Sequence, residues 1–215
     1  MIGVVTADDQ ALIRDALRTI IEREPDLEVV GEAADGDEAI AAVRRHRPDV
    51  VLMDIRMPGR DGIEATRALL AEPDPPKVLM LTTFDLDEYV HACLRAGASG
   101  FLLKDTQPAG IVAAVRAAYA GDATLSPAVT QRLITSYVQA PSPSANLPAT
   151  LTSREVDVLR AIARGLSNAE VARELYVGET TVKTHVTAIL AKLGVRDRLQ
   201  AVIAAYESGL VRPGS

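Results

Sequence analysis

The strongest constraint on the fold is a series of short apolar runs in the first 104 residues, each ending at a polar residue. Four of these runs end at Asp8, Asp54, Thr82 and Lys104, and helical patterns separate them. Short apolar runs between helical patterns are typical of buried parallel strands. The carboxyl ends of parallel strands lie along one edge of a sheet, where ligands bind. We therefore expect the four side chains to meet at that edge.

The alternation predicts a doubly wound α/β domain with a five-stranded parallel sheet. The predicted strands are 2–7, 27–33, 49–53, 77–82 and 100–103. The predicted helices are about 10–23, 36–47, 62–71, 86–96 and 108–120. Strands that alternate with helices of this length favour a parallel sheet covered on both faces. The strand order 2-1-3-4-5 is expected for this class of fold.

The predicted edge would crowd the carboxylates of Asp8, Asp9 and Asp54. Each aspartate alone is typical of a turn or a helix cap, but crowded like charges destabilise a fold unless they are compensated. A Mg²⁺ ion would compensate them, since it takes one or two carboxylates together with water and phosphate oxygens. Asp54 is then the candidate nucleophile towards a phosphodonor. Lys104 would neutralise the transferring group, and Thr82 would donate a hydrogen bond to it.

The same residues resemble the receiver domain of two-component response regulators, over about the first 120 residues. The residues that carry the resemblance are Asp8-Asp9, Asp54-Ile55-Arg56-Met57-Pro58-Gly59 with Gly62, Thr82, and Gly97, Phe101 and Lys104. The resemblance implies a CheY-like (flavodoxin-like) fold, Asp54 as phosphoacceptor and a sensor histidine kinase as donor. It implies that the backbone carbonyl of Arg56 joins Asp8, Asp9 and Asp54 around Mg²⁺. It also implies that Thr82 and Phe101 form a pair that moves when Asp54 is modified.

A second domain is predicted after a linker rich in proline and serine. Residues 140–149 hold three prolines and two serines, a composition that ends helices and buries little. We expect a receiver at 1–121, a helical lead-in and linker at 122–147, and a helical domain at 148–215. Residues 1–140 hold 14 Lys+Arg and 22 Asp+Glu, and residues 141–215 hold 9 and 7, so the net charges are -8 and +2. Only the C-terminal part therefore suits a nucleic-acid surface.

The C-terminal part is expected to be all helical. Thr152 with Glu155, and Ser167 with Glu170, have the spacing of capping boxes. The predicted helices are about 153–164, 168–175, 179–193 and 197–208, with Gly194 as the C-cap of the third.

The helix at 179–193 has an apolar stripe on one face and hydroxyl groups on the other. The polar face carries Thr180, Thr181, Lys183, Thr184 and Thr187. Short hydroxyls and a lysine near a helix N-terminus suit contacts with phosphates and base edges in a major groove. With the helix and glycine-containing turn before it, this pattern favours a helix-turn-helix. The alternative is a plain helical bundle with a solvated threonine face.

The C-terminal residues also resemble a LuxR-type DNA-binding domain over about 148–211. The residues that carry this resemblance are Leu151-Thr152-Ser153-Arg154-Glu155, Val158-Leu159, Gly165-Leu166-Ser167-Asn168-Ala169-Glu170-Val171-Ala172, Thr181-Val182-Lys183-Thr184-His185-Val186, Ile189 and Lys192-Leu193. The resemblance implies that 179–193 is the recognition helix, with Lys183, Thr184 and Thr187 towards double-stranded DNA. We expect Lys192 to contact DNA as well. It also implies a homodimer through the helix near 197–208.

These observations predict a DNA-binding response regulator rather than an enzyme. Phosphorylation of Asp54 is expected to favour a dimer that reads a two-part DNA site, with RNA polymerase as a further partner. No apolar stretch approaches the length of a membrane span, and the single Cys93 fits a reducing compartment, so we expect a cytoplasmic protein without membrane contact. One alternative is a phosphatase with Asp54 as nucleophile, although Arg56 stands where such enzymes usually place an acidic residue. Another is a DNA-binding protein whose first domain only dimerises.

Overall fold

The structure is a computed structural model that describes residues 1–82, 89, 92–93, 95–121 and 150–211. Contacts divide the chain into two compact units, residues 1–124 and 125–215. The linker predicted at 122–147 lies outside the described residues. The helix predicted at 86–96 is described only in part, and its described residues are helical.

The first unit contains one sheet of five parallel strands in the order β2-β1-β3-β4-β5, which confirms the predicted topology. The strands are β1 (Ile2–Ala7), β2 (Leu27–Ala33), β3 (Val50–Asp54), β4 (Lys77–Thr82) and β5 (Gly100–Leu103). Every residue of β3 is buried, as expected for the central strand of a sheet covered on both faces. Both boundaries of β3 differ by one residue from the predicted 49–53, because the strand begins at Val50 and includes Asp54.

Four helices of this unit are described over their full length. They are α1 (Ala11–Ile21), α2 (Gly36–His46), α3 (Gly62–Leu70) and α4 (Pro108–Tyr119). Asp35 and Asp61 cap α2 and α3, because each carboxylate accepts a hydrogen bond from the N–H three residues later. Pro108 begins α4 at a position where the missing N–H costs no helical hydrogen bond.

Apolar side chains of α1 and α4 pack with those of the strands to form one hydrophobic core. Leu52, Leu79 and Leu81 lie at its centre and are almost completely buried. Burial of such side chains stabilises a fold by about 1.5–3 kcal/mol each. The core therefore holds the strand ends, and the polar residues that follow them, at fixed positions.

The second unit has four described helices, α5 (Ser153–Ala163), α6 (Asn168–Glu174), α7 (Glu179–Leu193) and α8 (Arg198–Glu207). Both predicted capping boxes are present, at the beginning of α5 and α6. Gly194 ends α7 in a left-handed conformation with φ of 67°, which a glycine adopts without steric cost. The three apolar residues Val182, Val186 and Ile189 place one face of α7 in a small core. None of the described helices is long and apolar enough to cross a bilayer.

Candidate functional site

The register of the sheet brings two of the predicted aspartates side by side. Ala7 of β1 pairs with Met53 of β3, so the next residues, Asp8 and Asp54, follow at the same level. Leu103 of β5 pairs with Thr82 of β4, so Lys104 follows the last pair of that ladder. The N–H of Lys104 also donates to the carbonyl oxygen of Thr82 at 2.8 Å. Strand pairing therefore brings the polar residues to one edge.

Three carboxylates and one ammonium form the acidic pocket. One carboxylate oxygen from each of Asp8, Asp9 and Asp54 lies within 4.8 Å of the others. Asp8 is fully buried, Asp54 is 5% exposed and Asp9 is exposed. The Nζ atom of Lys104 lies 2.7 Å from Oδ2 of Asp8 and 2.9 Å from Oδ2 of Asp54. Charge-assisted contacts of this length fix both carboxylates.

Burial and the neighbouring charges shift the pKa values in the pocket. Burial is the main reason why the pKa of Asp54 is raised, and the negative charge of Asp8 adds to it against the opposing effect of Lys104. Burial alone would lower the pKa of Lys104, but its hydrogen bonds to Asp8 and Asp54 outweigh this effect and raise it. Lys104 therefore remains an ammonium, and further positive charge near Asp54 would favour its ionised form.

The charge balance of the pocket fits a divalent cation. Three carboxylates face one ammonium, which leaves an excess of two negative charges when all of them are ionised. Oxygen ligands of this kind are preferred by Mg²⁺. An exposed Asp9 beside a buried Asp8 also leaves the cluster open to solvent on one side. The residues present therefore suit a hydrated Mg²⁺ ion.

The predicted switch residues, Thr82 and Phe101, lie on one face of the sheet. Thr82 pairs with Leu103, and Phe101 is two residues before Leu103 on the same strand, so the three side chains share a face. Both Thr82 and Phe101 are buried. Phe101 thus packs inward, in agreement with its lack of a hydroxyl group.

The loop after β3 is fixed close to Asp54. The backbone N–H of Arg56 lowers the pKa of Asp54, against the larger opposing effect of burial, and the Arg56 side chain is exposed. The N–H of Gly62 donates to the carbonyl oxygen of Ile55 at 3.0 Å and closes the loop. A Cβ atom on Gly62 would lie 1.9 Å from the carbonyl oxygen of Asp54. A glycine is needed there because α3 begins against the strand that carries Asp54.

Arg14 is a residue of the pocket that the sequence reasoning missed. Its Nη1 atom donates to the carbonyl oxygen of Asp8 at 2.6 Å, and its Nε atom lies 3.7 Å from Glu32. The N–H of Gln10 donates to Oδ1 of Asp8 at 3.0 Å. Arg14 is one of the two basic residues of α1, and the sequence pattern does not distinguish it from Arg18. Its contact with Asp8 depends on how α1 packs against β1, which the sequence pattern does not specify.

In the second unit, α7 exposes the polar face that the sequence predicted. Its exposed residues include Thr180, Thr181, Lys183, Thr184 and Thr187. The hydroxyl groups of Thr184 and Thr187 donate to the carbonyl oxygens of Thr180 and Lys183, one turn earlier in the helix. Gly178 is the N-cap and supplies no side-chain hydrogen bond, as its lack of a side chain requires.

Lys192, unlike these five residues, is only partly exposed and pairs with a neighbouring helix. Its Nζ atom lies 2.8 Å from Oε1 and 2.7 Å from Oε2 of Glu155 in α5. The structure thus places the other five predicted DNA contacts on an open surface and Lys192 in an ion pair within the domain.

An acidic pocket at the strand ends of one unit and an exposed helix after a short turn in the other are the two features expected of a response regulator that binds DNA. The family model described as response regulator receiver domain matches residues 4–116. The model described as bacterial regulatory proteins, luxR family, matches residues 149–205.

Relatives of known sequence match almost the whole chain. The transcriptional regulatory protein LiaR of Bacillus subtilis is 41% identical over 98% of this chain and 100% of its own length. The response regulator protein VraR of Staphylococcus aureus is 39% identical over 98% of this chain and 99% of its own. The crystal structure of the response regulator ChrA, from a heme-sensing two-component system, is 39% identical over 98% of both chains, with a TM-score of 0.54. The chain therefore belongs to the DNA-binding response regulators of two-component systems that join a receiver domain to a LuxR-type helix-turn-helix.

Proposed function

We propose that Asp54 is the phosphoacceptor of this response regulator. The observation that carries the proposal is the cluster in which Lys104 contacts both Asp8 and Asp54 while Asp9 completes the set of carboxylates. Asp8, Asp9, Asp54 and the backbone carbonyl of Arg56 would hold Mg²⁺. When bound, the ion supplies positive charge for the phosphoryl oxygens.

Phosphoryl transfer at this site is a substitution at phosphorus. A carboxylate oxygen of Asp54 forms the new O–P bond, and the P–N bond to the phosphohistidine of a sensor histidine kinase breaks, with its electron pair left on the imidazole. Lys104 can follow the charge from the carboxylate to the phosphoryl group, because its ammonium already contacts Asp54 at 2.9 Å. The Thr82 hydroxyl would donate a hydrogen bond to a phosphoryl oxygen.

We further propose that Thr82 and Phe101 transmit the modification and favour a homodimer. Both residues are buried on one face of the sheet, so movement of Thr82 towards the phosphoryl group would disturb the packing around Phe101. A population shift towards the dimer would place two recognition helices on a two-part DNA site.

The DNA contacts are proposed for the exposed face of α7, with Thr180, Thr181, Lys183, Thr184 and Thr187 as the residues concerned. The exposure of all five supports this proposal. We also propose that the receiver spans 1–121, the lead-in and linker 122–147, and the DNA-binding domain 148–215. The protein is proposed to act in the cytoplasm as a regulator and not as an enzyme, with RNA polymerase as a further partner.

Intact-mass measurement after incubation with acetyl phosphate and Mg²⁺ tests the phosphoacceptor. We expect one phosphoryl group on the wild type and none on Asp54→Asn. Asp105→Asn is the matched control, since Asp105 is an exposed carboxylate beside Lys104, and it should be modified like the wild type. An adduct on Asp54→Asn equal to that on the wild type would contradict the assignment.

A further inference from the structure

Two adjacent residues of α5, Arg154 and Glu155, contact the end of α6 and the last turn of α7. The first contact is at the turn before α7, where Nη2 of Arg154 donates to the carbonyl oxygen of Leu175 at 2.5 Å. The second contact is near the end of α7, where Glu155 accepts from Lys192 at 2.7 and 2.8 Å. Successive helical residues point about 100° apart, so one turn of α5 reaches both places.

The Glu155 carboxylate is held in place within the domain before it pairs with Lys192. It is 5% exposed, and it also accepts from the backbone N–H of Thr152 at 2.7 Å as part of the capping box of α5. Lys192 therefore pairs with a carboxylate that is already fixed, so the pair loses less side-chain entropy than an exposed one. A partner removed from such a pair leaves a buried charge without compensation.

Lys192 lies in the last turn of α7, whereas the proposed DNA contacts lie in its first two and a half turns. Thr180, Thr184 and Thr187 form a stripe whose next member is the exposed Ala191. Lys192 lies about 100° around the helix from that stripe and about 20° from Thr181, but three turns after Thr181. Recognition helices contact base edges with their N-terminal residues, whereas Lys192 is in the last turn.

The structure thus assigns Lys192 a positioning role: we propose that Lys192 and Arg154, through Glu155 and the Leu175 carbonyl, set the angle at which α7 is presented to DNA. Lys192 then makes no phosphate contact of its own. The inference rests on the proposed DNA-binding function where it is tested by DNA affinity. Its test by hydrogen exchange without DNA does not depend on that function.

The consequence of the proposal is opposite to that of a phosphate contact. If Lys192 bound phosphate, Glu155→Gln would release its ammonium, and DNA affinity and its dependence on salt would both rise. If Lys192 positions α7, Glu155→Gln loosens the helix and lowers the affinity, with an unchanged dependence on salt. The two possibilities therefore differ in the sign of one measurement.

The first measurement is amide hydrogen exchange of the full-length chain without DNA. We expect Lys192→Met and Glu155→Gln to speed exchange in the C-terminal turns of α7, while α8 and the receiver exchange as in the wild type. Lys183→Met is the matched control, a lysine of the same helix that is exposed, and it should leave exchange unchanged. Wild-type exchange of α7 in both Lys192→Met and Glu155→Gln would overturn the positioning role.

The second measurement is DNA affinity against salt concentration, with a duplex selected from random sequence by the wild type after acetyl phosphate treatment. Lys192→Met, Glu155→Gln and the double variant should each lose affinity roughly tenfold, without additivity, because they break one contact. Their salt slopes should equal that of the wild type, whereas Lys183→Met should lower the slope by about one. A lower slope in Lys192→Met, or tighter binding by Glu155→Gln, would overturn the proposal. If the wild type selected no sequence, the proposed function would fail, and the exchange result would still decide the role of Lys192.

Discussion

Gly62→Ala tests how closely the beginning of α3 approaches the strand that carries Asp54. A Cβ atom on residue 62 would lie 1.9 Å from the carbonyl oxygen of Asp54 and 2.9 Å from its carbonyl carbon. Ordinary van der Waals contact begins at 3.4 Å, so α3 and β3 must move apart by about 1.5 Å to accept the methyl group. The nearest atoms belong to the backbone, and no change of rotamer relieves the overlap.

The expected cost follows from what has to move. An extra methyl group in a packed site typically costs about 1–3 kcal/mol, and more where the backbone must shift. Here the shift also strains the hydrogen bond from Gly62 to Ile55, 3.0 Å long. We expect Gly62→Ala to lower the free energy of unfolding of the receiver by more than about 3 kcal/mol. The same shift displaces the Asp54 carboxylate from Lys104, so phosphorylation by acetyl phosphate should slow.

Gly59→Ala is the matched control in the same loop. Gly59 has a φ of +70°, and a Cβ atom added to it would meet no other atom within 4 Å, so its replacement costs only backbone strain, about 1 kcal/mol. Amide exchange of receiver peptides measures the stability of each variant, and intact mass against time measures phosphorylation. A Gly62→Ala variant that loses no more stability than Gly59→Ala and is phosphorylated at the wild-type rate would contradict the close approach of α3 to β3.

Two further predictions concern buried titratable groups. Hydrogen bonds from Lys192 and Thr152 lower the pKa of Glu155 to about 2 in the folded protein. The unfolded pKa is about 4.3. The ionised Glu155 therefore stabilises the fold fully above about pH 4.3, and this stabilisation is lost as the pH falls towards about 2. Amide exchange of α5 should thus show a stability difference between the wild type and Glu155→Gln at pH 7 that shrinks below about pH 4, and a difference independent of pH would contradict the pairing. Burial raises the pKa of the Cys93 thiol to about 12, so iodoacetamide at pH 8 should alkylate the chain only after urea unfolding, as mass shows. Rapid alkylation of the folded chain would mean that Cys93 is accessible.

The sequence predicted the site at the strand ends because the apolar pattern locates the strands and the carboxyl ends of parallel strands share one edge of the sheet. Asp8 and Asp54 each follow an apolar run, and the sheet register brings such positions together without further information. The same reasoning predicted the exposed face of α7, since a period of 3.6 separates Val182 and Val186 from the threonines.

The contacts that sequence reasoning missed join elements through long side chains. Arg14 reaches the Asp8 carbonyl, and Lys192 reaches Glu155 across 37 positions of the chain. A long cation can turn to solvent, to a ligand or to a neighbouring helix, and periodicity does not distinguish these directions. Only the packing of the helices decides between them.

The distribution of the pocket over three strands links its assembly to protein synthesis. Asp8, Asp54 and Lys104 lie in succession along the chain, and Lys104 follows β5, the last strand and an edge of the sheet. A nascent chain whose β5 is still inside the ribosome holds both aspartates but lacks the ammonium that compensates them. If Asp54 is the phosphoacceptor as proposed, competence for phosphoryl transfer would arise only after β5 has paired, and a receiver truncated before β5 would not accept a phosphoryl group.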